Sequence, residues 1–410
     1  MKISTYGLYH LGCVTTTCLA RRHRYHITAI DPNPELIEEL KNNRLPIFEP
    51  RLTSLMEKHS EHIEFTSDIS SVKDSDIVWV TFDTPINNDD IADVEYVEKQ
   101  IVNIFPYLKD NTIVLISSQL PVGTTRKLID LCPNKTTIFA YSPENLRLGK
   151  AIDTFMSPDR IIVGMDRIDE RERVAELLSP FSDNIIWMSP ESAEMTKHAL
   201  NAYLAMSITF INEIASICEK TGADIRSVER GLKTDHRIGD GAYLHAGKAF
   251  DGGTLARDVE FLKYLKDDTI LIPSIIKSNK NHKNWIINKL QTLFPDPTKL
   301  HVAMLGTTYK TGTNTHRRSF PLELRDTLMN LGVRVTCHDP FDPELEDIVH
   351  ATIGADVIII GTDHPEYRDI TPDNLVRYTE HHVVIDPNGF LEDTLGHDPR
   401  IKYITVGRKS

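Results

Sequence analysis

The sequence is short of basic charge and of cysteine, and each shortage excludes a class of function. Its 59 acidic residues outnumber 46 basic ones, and the net charge of −13 argues against nucleic-acid or anionic-membrane binding, which requires a basic surface. The five cysteines are scattered and odd in number, which is typical of buried, reduced thiols in a cytoplasmic protein. The 17 histidines form neither an H-x-x-x-H nor an H-E-x-x-H pattern, so no metal site is predicted.

Long apolar runs are also absent from the sequence. No segment approaches the roughly 20 consecutive apolar residues that a membrane-spanning helix requires. Polar residues such as His10 and Thr15 interrupt the small-residue stretch near the start, so we do not expect an export signal. The sequence therefore predicts a cytoplasmic protein that binds no membrane.

What is present is an alternation of short apolar runs with helical patterns. The 410 residues, 40% of them hydrophobic, provide for two or three domains with buried cores. Alternation of this kind predicts parallel sheets covered by helices on both faces. The predicted strands are residues 26–30, 76–80, 112–116, 161–164, 301–306, 334–337, 357–360 and 382–385, and predicted helices include residues 34–42, 94–108 and 273–293.

One helical pattern is unusually long and separates the two alternating regions. Apolar residues recur at three- and four-residue spacing over residues 194–219. We predict an α/β protein with two Rossmann-like, doubly wound parallel-sheet domains joined by this helix, which would also serve as a dimer surface. The predicted domains are 1–190 for the dinucleotide, 191–296 for the helical linker and dimerisation, and 297–410 for a second Rossmann-like domain.

The first strand and the turn after it resemble a dinucleotide-binding loop. Such loops read G-x-G-x-x-G, because bare backbone must approach the pyrophosphate. Gly7 and Gly12 occupy the outer positions, but Tyr9 replaces the middle glycine. Asp31 follows the second predicted strand, where a carboxylate binds the ribose hydroxyls of NAD and repels the phosphate of NADP. The alternative is that Asp31 belongs to a turn that merely caps the next helix.

Further segments, in order along the chain, resemble those of one enzyme family. They are residues 31–33 (D-P-N), 45–50 (L-P-I-F-E-P), 82–85 (F-D-T-P) with Asp90 and 92–93 (A-D), 121–124 (P-V-G-T), 142–147 (S-P-E-N-L-R), 197–201 (K-H-A-L-N), 210–213 (F-I-N-E), 237–239 (R-I-G) and 249–259 (A-F-D-G-G-T-L-A-R-D-V). On these segments the chain is identified as a member of the UDP-glucose/GDP-mannose dehydrogenase family.

The resemblance implies a specific chemistry and exposes one departure from it. Family members oxidise the primary alcohol of a nucleotide sugar twice with NAD, and a cysteine captures the aldehyde so that the second step yields a thioester, which water hydrolyses. The last segment reads G-F-G-G-S-C-F-P-K-D-V in the family, so Thr254 replaces that cysteine. A threonine hydroxyl requires a strong adjacent base to become a nucleophile.

Two other departures concern the same half of the reaction. Gln119 replaces the threonine of a serine-threonine pair, and Leu148 replaces a glutamate. The resemblance ties both family residues to the hydrolytic water and its protons. The sequence therefore predicts that the thioester route has been lost.

The residues for substrate binding and alkoxide stabilisation are retained. The resemblance implies catalytic roles for Lys197, Asn201 and Asp258. Thr254 is a fourth candidate, with the alternative that its hydroxyl only lines the site, and an alternative for Lys197 is that it is a solvated surface charge. The implied cofactor contacts are Gly7, Tyr9, Gly12, Asp31, Thr84, Pro85 and Arg317, and the implied substrate contacts are Glu144, Leu146, Arg147, Arg237 (reaching a partner subunit), Phe250, Gly252, Gly253 and Lys310.

Two hypotheses follow for the function. The first is an NAD-dependent oxidoreductase in polysaccharide biosynthesis that acts on a nucleotide sugar, with UDP favoured over GDP. Its route needs no cysteine, and it either stops after one hydride transfer or oxidises a ring alcohol. The second is a non-catalytic or regulatory homologue, because Tyr9 is expected to weaken binding of NAD. This second hypothesis includes pairing with an active dehydrogenase, whereas the long helix predicts a homodimer.

Overall fold

A computed structural model describes residues 1–22, 25–85, 92–250, 253–266, 268–316 and 319–409. The chain divides into two compact units, Met1–Ala199 and Leu200–Ser410. The predicted three-domain division remains a prediction. The fold class predicted from the sequence is confirmed, since each unit contains a mainly parallel sheet and a long helix runs through the division.

The first unit is built on an eight-stranded sheet with the order β3-β2-β1-β4-β5-β6-β7-β8. The order reverses at β1 and β4, where a doubly wound sheet opens its ligand crevice. All neighbours are parallel except β6 and β7, which pair antiparallel. The strands are β1 Ile3–Tyr6, β2 Ile27–Ile30, β3 Ile63–Thr66, β4 Ile77–Val80, β5 Ile113–Ile116, β6 Ile138–Tyr141, β7 Ile161–Met165 and β8 Ile185–Met188.

Helices cover both faces of this sheet. The central strands β1, β4, β5 and β6 are fully buried, as parallel strands between two helical layers must be. The helices are α1 His10–Ala20, α2 Pro34–Lys41, α3 Leu52–Lys58, α4 Val94–Ile104, α5 Thr124–Leu131, α6 Ala151–Met156 and α7 Arg171–Leu178.

The second unit repeats the plan with a five-stranded, all-parallel sheet of order β10-β9-β11-β12-β13. Its strands are β9 His301–Leu305, β10 Arg334–His338, β11 Ala355–Ile360, β12 Thr379–Ile385 and β13 Lys402–Ile404. Its helices are α9 Ile225–Lys233, α10 Gly253–Leu265, α11 Leu271–Lys283, α12 Trp285–Leu293, α13 Phe320–Asn330, α14 Ile348–Thr352, α15 Pro372–Tyr378 and α16 Glu392–Leu395.

The long helix α8, Pro190–Thr221, exceeds its prediction at both ends. Proline is tolerated in the first turn, where its missing N–H has no partner to lose. The helix stops at Gly222, whose φ of +81° only glycine adopts cheaply, and whose N–H donates to the carbonyl of Cys218 over 2.9 Å.

Two predictions need correction. The single helix predicted over residues 273–293 is two helices, α11 and α12, because the chain bends at Asn284. The prediction that no segment could span a membrane is also too strong, since α8 passes that test by length and composition alone. About 44% of its apolar window is buried inside the protein.

Candidate active site

In the loop between β1 and α1, the two outer glycines pack so closely against other atoms that a side chain would not fit. A Cβ atom on Gly7, whose φ is +99°, would lie 2.6 Å from the Phe82 ring, and one on Gly12 would lie 1.8 Å from the Gly7 carbonyl oxygen. Tyr9 has a φ of −86°, so its backbone does not require glycine, and its side chain is 41% exposed. The loop therefore accommodates Tyr9 by leaving its ring in solvent.

The first turn of α1 offers its backbone N–H groups to a ligand. Within the described residues it has no side-chain cap and no acidic residue. Helix N-termini of this kind bind pyrophosphate through N–H donors and the helix dipole.

Asp31, directly after β2, connects this loop to the second strand by hydrogen bonds. Its buried carboxylate accepts hydrogen bonds from the backbone N–H of Leu8 (2.8 Å) and of Asn33 (3.0 Å). Burial raises its pKa above the ordinary value for aspartate, although both hydrogen bonds oppose this. The cap of α2 is the side chain of Asn33, which accepts from the N–H groups of Glu35 and Leu36, so Asp31 is not the capping residue.

Thr84 and Pro85 follow β4, beside the same loop. Thr84 is buried and donates through Oγ1 to the carbonyl of Gln119 over 2.5 Å, which joins the segments after β4 and β5. Pro85 is exposed, and its carbonyl accepts from the N–H of Asp93 over 2.7 Å. Asp90 lies outside the described residues.

Lys197 is the buried cation of the first unit's site. Its side chain is 6% exposed, and its Nζ donates to the carbonyl of Glu144 (2.5 Å) and to Oδ1 of Asn145 (3.4 Å). The interpretation of Lys197 as a solvated surface charge is therefore wrong. Since burying an ammonium group is costly, its retention against this loop favours a functional role.

The loop that Lys197 contacts carries the predicted substrate residues. Glu144 folds back on the loop and accepts from the N–H of Leu146 over 2.6 Å, while Arg147 remains exposed. The Nζ of Lys197 lies 3.8 Å from Oε1 of Glu144. These three predicted contacts are thus near one another, on one loop.

Two buried glutamates support the site and were assigned no role from the sequence. Glu49 accepts from the N–H groups of Gly149 and Ala151 (each 2.9 Å) and from His10 Nε2 (3.0 Å), so it joins α1 to the substrate loop. The glutamate of the L-P-I-F-E-P segment was visible in the sequence, but its distant partners were not.

Glu194 supplies the cap that α5 lacks locally. Its fully buried carboxylate accepts from the N–H of Gly123 (2.6 Å) and from both the N–H (2.8 Å) and Oγ1 (2.6 Å) of Thr125. The signal that could have found it is a helix begun by P-V-G-T, whose glycine N-cap has no oxygen to accept the first N–H groups.

In the second unit, Asn201 and Asp258 form a buried pair. Asn201 Nδ2 donates to Oδ2 of Asp258, which has no exposed surface. Arg257 is also buried, with its Nε 3.9 Å from Oδ1 of Asp258. The neighbouring Val259 packs in an apolar cluster and so fixes this turn of α10.

Thr254 lies in the first turn of α10, exposed, and four residues before Asp258. Residues at this spacing share one face of a helix. The predicted nucleophile position and the predicted base are therefore on the same face of one helix.

The segment before α10 is partly described. Phe250 is buried in the cluster with Val259, and Asn279 bonds both its N–H (3.0 Å) and its carbonyl (2.9 Å). Gly253 begins the helix. Gly252 lies outside the described residues, and the predicted sugar contacts of this segment remain predictions.

The remaining predicted contacts are exposed or undescribed. Arg237 is 78% exposed and forms a two-point ion pair with Asp235, at 3.0 and 2.7 Å. Lys310 is exposed in the loop after β9, and Arg317 lies outside the described residues.

Three family models match successive parts of the chain. They are the NAD binding domain (residues 1–182), the central domain (191–283) and the UDP binding domain (303–393) of one family. The chain belongs to the UDP-glucose/GDP-mannose dehydrogenase family. Membership supports NAD use and a UDP-sugar ligand.

Relatives and solved structures agree with this assignment. The chain is 29% identical over 100% of both chains to UDP-glucose 6-dehydrogenase of Rickettsia bellii, and 32% identical to that of Bacillus subtilis, over 94% of this chain and 88% of the relative. It shares the fold of a UDP-glucose dehydrogenase from Pyrobaculum islandicum, with a TM-score of 0.88 at 24% identity, over 99% of this chain and 98% of that one.

A second structure, a UDP-D-ManNAc dehydrogenase from Pyrococcus horikoshii, matches with a TM-score of 0.89 at 22% identity, over 100% of this chain and 99% of that one.

All five cysteines lie in the described part of the chain, and all are buried. Burial raises the pKa of Cys18 to about 12 and that of Cys337 to about 11. Cys13 in α1 donates to the Leu8 carbonyl over 3.2 Å, and burial raises its pKa too. These thiols are unsuited to act as thiolate nucleophiles.

Proposed function

We propose that the protein is an NAD-dependent oxidoreductase that acts on a UDP-sugar and transfers one hydride without a covalent thioester. The observation that carries the proposal is a contrast in burial. Lys197 and the Asn201–Asp258 pair are buried, whereas Thr254 is exposed. Lys197 and Asp258, the groups proposed for alcohol oxidation, are retained although burying charged groups is unfavourable. Thr254, at the position of the family's nucleophile, offers only a hydroxyl.

The proposed chemistry uses this chain's residues as follows. Oxidation of an alcohol removes a hydride from carbon, which NAD accepts when bound, and a proton from oxygen. Lys197 stabilises the developing alkoxide by its charge. Asp258, oriented by Asn201, accepts the proton directly or through water. Gly7, Gly12 and Asp31 hold the dinucleotide, with Thr84 beside it.

Thr254 limits the reaction to this first step. To attack an aldehyde, its hydroxyl would have to lose a proton in the transition state to a base at hydrogen-bond distance. Among the described residues, the Thr254 hydroxyl makes no hydrogen bond to such a base. The carbonyl compound is therefore the expected product, and no acid forms.

Tyr9 favours a second candidate, a non-catalytic nucleotide-sugar-binding homologue. Tyr9 stands at the sequence position of the middle glycine, whose bare backbone meets the pyrophosphate in such loops. Calorimetry with NAD, NADH and UDP-sugars distinguishes the two, because binding of a UDP-sugar without binding of NAD supports the non-catalytic candidate.

We also propose a cytoplasmic homodimer that serves polysaccharide biosynthesis. Tyr203, Phe210 and Ile217 recur every seven residues on α8 and are 58%, 49% and 54% exposed. A stripe of large apolar side chains at this spacing is typical of helix pairing. The acidic composition and the buried cysteines support the location.

The direct test of the catalytic proposal is NADH formation with a panel of UDP-sugars, including UDP-glucose and UDP-N-acetylmannosamine. Substitution Lys197→Met is expected to lower kcat by at least about 100-fold, because it removes the charge that stabilises the alkoxide. Lys220→Met is the matched control, since Lys220 is exposed on the same helix. Equal rates for the two variants would contradict the role of Lys197.

A further inference from the structure

His10 is the first residue of α1, the helix that follows the glycine loop of the first unit. Its side chain is 15% exposed, and its Nε2 lies 3.0 Å from Oε2 of Glu49. Since an ionised carboxylate can only accept, the imidazole N–H is the donor in this bond. His10 therefore ties the N-terminal turn of α1 to a carboxylate from the segment between α2 and α3.

Glu49 extends this contact to the substrate loop, residues 142–150, which joins β6 to α6. Its side chain is 1% exposed. Oε2 also accepts from the N–H of Gly149, and Oε1 accepts from the N–H of Ala151, each over 2.9 Å. Because one oxygen bonds both His10 and Gly149, a displacement of the imidazole acts directly on the bond that holds the loop.

The other side of the substrate loop is held by the proposed catalytic lysine. Lys197 Nζ donates to the carbonyl of Glu144 in this loop. A continuous path of hydrogen bonds and covalent chain thus runs from His10 through Glu49 to the groups proposed to act on the sugar. All of these residues lie in the first unit.

The first turn of α1 is also where the proposed function places the dinucleotide. The first intrahelical bond runs from the N–H of Cys13 to the Tyr9 carbonyl over 2.9 Å, so the N–H groups of residues 10–12 have no intrahelical partner. Such groups bind pyrophosphate. A ligand that binds them restricts the motion of the turn, and that restriction passes to the residues bonded to it.

We propose that His10 is a positioning residue that couples occupancy of the dinucleotide site to the order of the substrate loop. With the first turn of α1 fixed, the imidazole stays at Glu49, and Glu49 holds the N–H groups of Gly149 and Ala151. The sugar then meets a loop that is already ordered. This inference rests on the proposed function, which supplies the dinucleotide, and adds a link between its two ligands.

Hydrogen exchange measured by mass spectrometry tests the link without requiring turnover. In the wild type, saturating NADH is expected to slow exchange in residues 142–151 by about fivefold or more, the lower end of ordinary coupling between sites. His10→Leu removes the donor and should abolish this slowing, while calorimetry still detects NADH binding. His26→Leu is the matched control and should retain the slowing, since His26 is exposed just before β2.

His10→Gln separates the hydrogen bond from the packing of a ring. The glutamine amide can donate to Glu49, so this variant should recover much of the NADH-dependent slowing. A loss as complete as that of His10→Leu would overturn the role of the hydrogen bond. Slowing that persists in His10→Leu would overturn the proposal as a whole.

The same measurements separate this inference from the proposed function. A wild type that binds NADH without slower exchange in residues 142–151 overturns the link and leaves the proposed function standing. A wild type that binds no NADH contradicts the proposed function itself, and the link is overturned with it.

Discussion

At the residue scale, burial separates the two charged groups of the proposed catalytic site from Thr254. Lys197 and Asp258 are polar, yet 6% and 0% exposed, whereas Thr254 is exposed. Desolvation of a charge is unfavourable unless specific partners compensate it, and here the partners are a loop carbonyl and the amide of Asn201. The burial of Lys197 and Asp258 therefore favours a binding site over a solvated helix surface.

The loss of the thioester route can be tested by reversal. Thr254→Cys alone should form two NADH per active site and then stop as an enzyme-bound thioester, because Gln119 and Leu148 would leave the thioester without its hydrolytic water. The triple variant Thr254→Cys, Gln119→Thr, Leu148→Glu should form acid and a second NADH, measured by product mass and NADH yield. Acid formation by the unmodified protein would contradict this explanation.

At the scale of elements, buried carboxylates accept the backbone N–H groups of loops and of a helix N-terminus that local side chains leave without an acceptor. Glu194 caps α5 from 69 residues away in sequence, and Asp31 and Asp339 occupy matching places after the second strand of each sheet. Asp31 accepts from the N–H of Leu8, and Asp339 accepts from the N–H groups of Thr307 and Thr308. All three donors lie in the loop after the unit's first strand. The repeat of the architecture thus extends to its hydrogen bonds.

Asp339 yields a prediction for the pH dependence of stability. Burial opposes its ionisation, but donation from His364 and from backbone N–H groups outweighs burial and holds its pKa well below the ordinary value. Since the folded pKa is depressed, the stabilisation is present above the unfolded pKa of about 3.9 and is lost as pH falls through the folded value.

Asp339→Asn is accordingly expected to lower stability by about 2 kcal/mol at neutral pH. The difference from the wild type should shrink progressively below about pH 4. Thermal unfolding across this range measures it. A difference that stays constant down to pH 3 would contradict the assignment to the ionised carboxylate.

The sequence anticipated some strands and missed others. Residues 76–80 and 112–116 were predicted because β4 and β5 are apolar on both faces. The edge strands β3 and β8 were not predicted, since their half-exposed residues blur the apolar pattern. The inner strand β6 was also missed, although it is fully buried, whereas the edge strand β10 was predicted. The break at Asn284 was missed because its neighbours keep helical periodicity on both sides.

At the scale of the whole molecule, family and fold were predictable but the partners of site residues were not. Motifs in a fixed order along the chain, such as S-P-E-N-L-R, identify the family. The contacts of Lys197 with Glu144 and of Asn201 with Asp258 join residues 53 and 57 positions apart, which no local pattern encodes.

The proposed dimer follows from the exposed stripe on α8. Phe210→Glu should convert a dimer into a monomer, because a charge at the centre of an apolar interface is strongly unfavourable. Light scattering after size exclusion measures the mass. Leu131→Glu is the control, since Leu131 is 54% exposed elsewhere and should leave the dimer intact. A wild type that is monomeric at micromolar concentration would contradict the proposal.

The central claim is an inherited nucleotide-sugar site that works without the sulfur nucleophile. The most direct measurement is the number of NADH molecules formed for each UDP-sugar consumed, with the product identified by mass spectrometry. The account predicts one NADH and a carbonyl product. Two NADH with a uronic acid would contradict it.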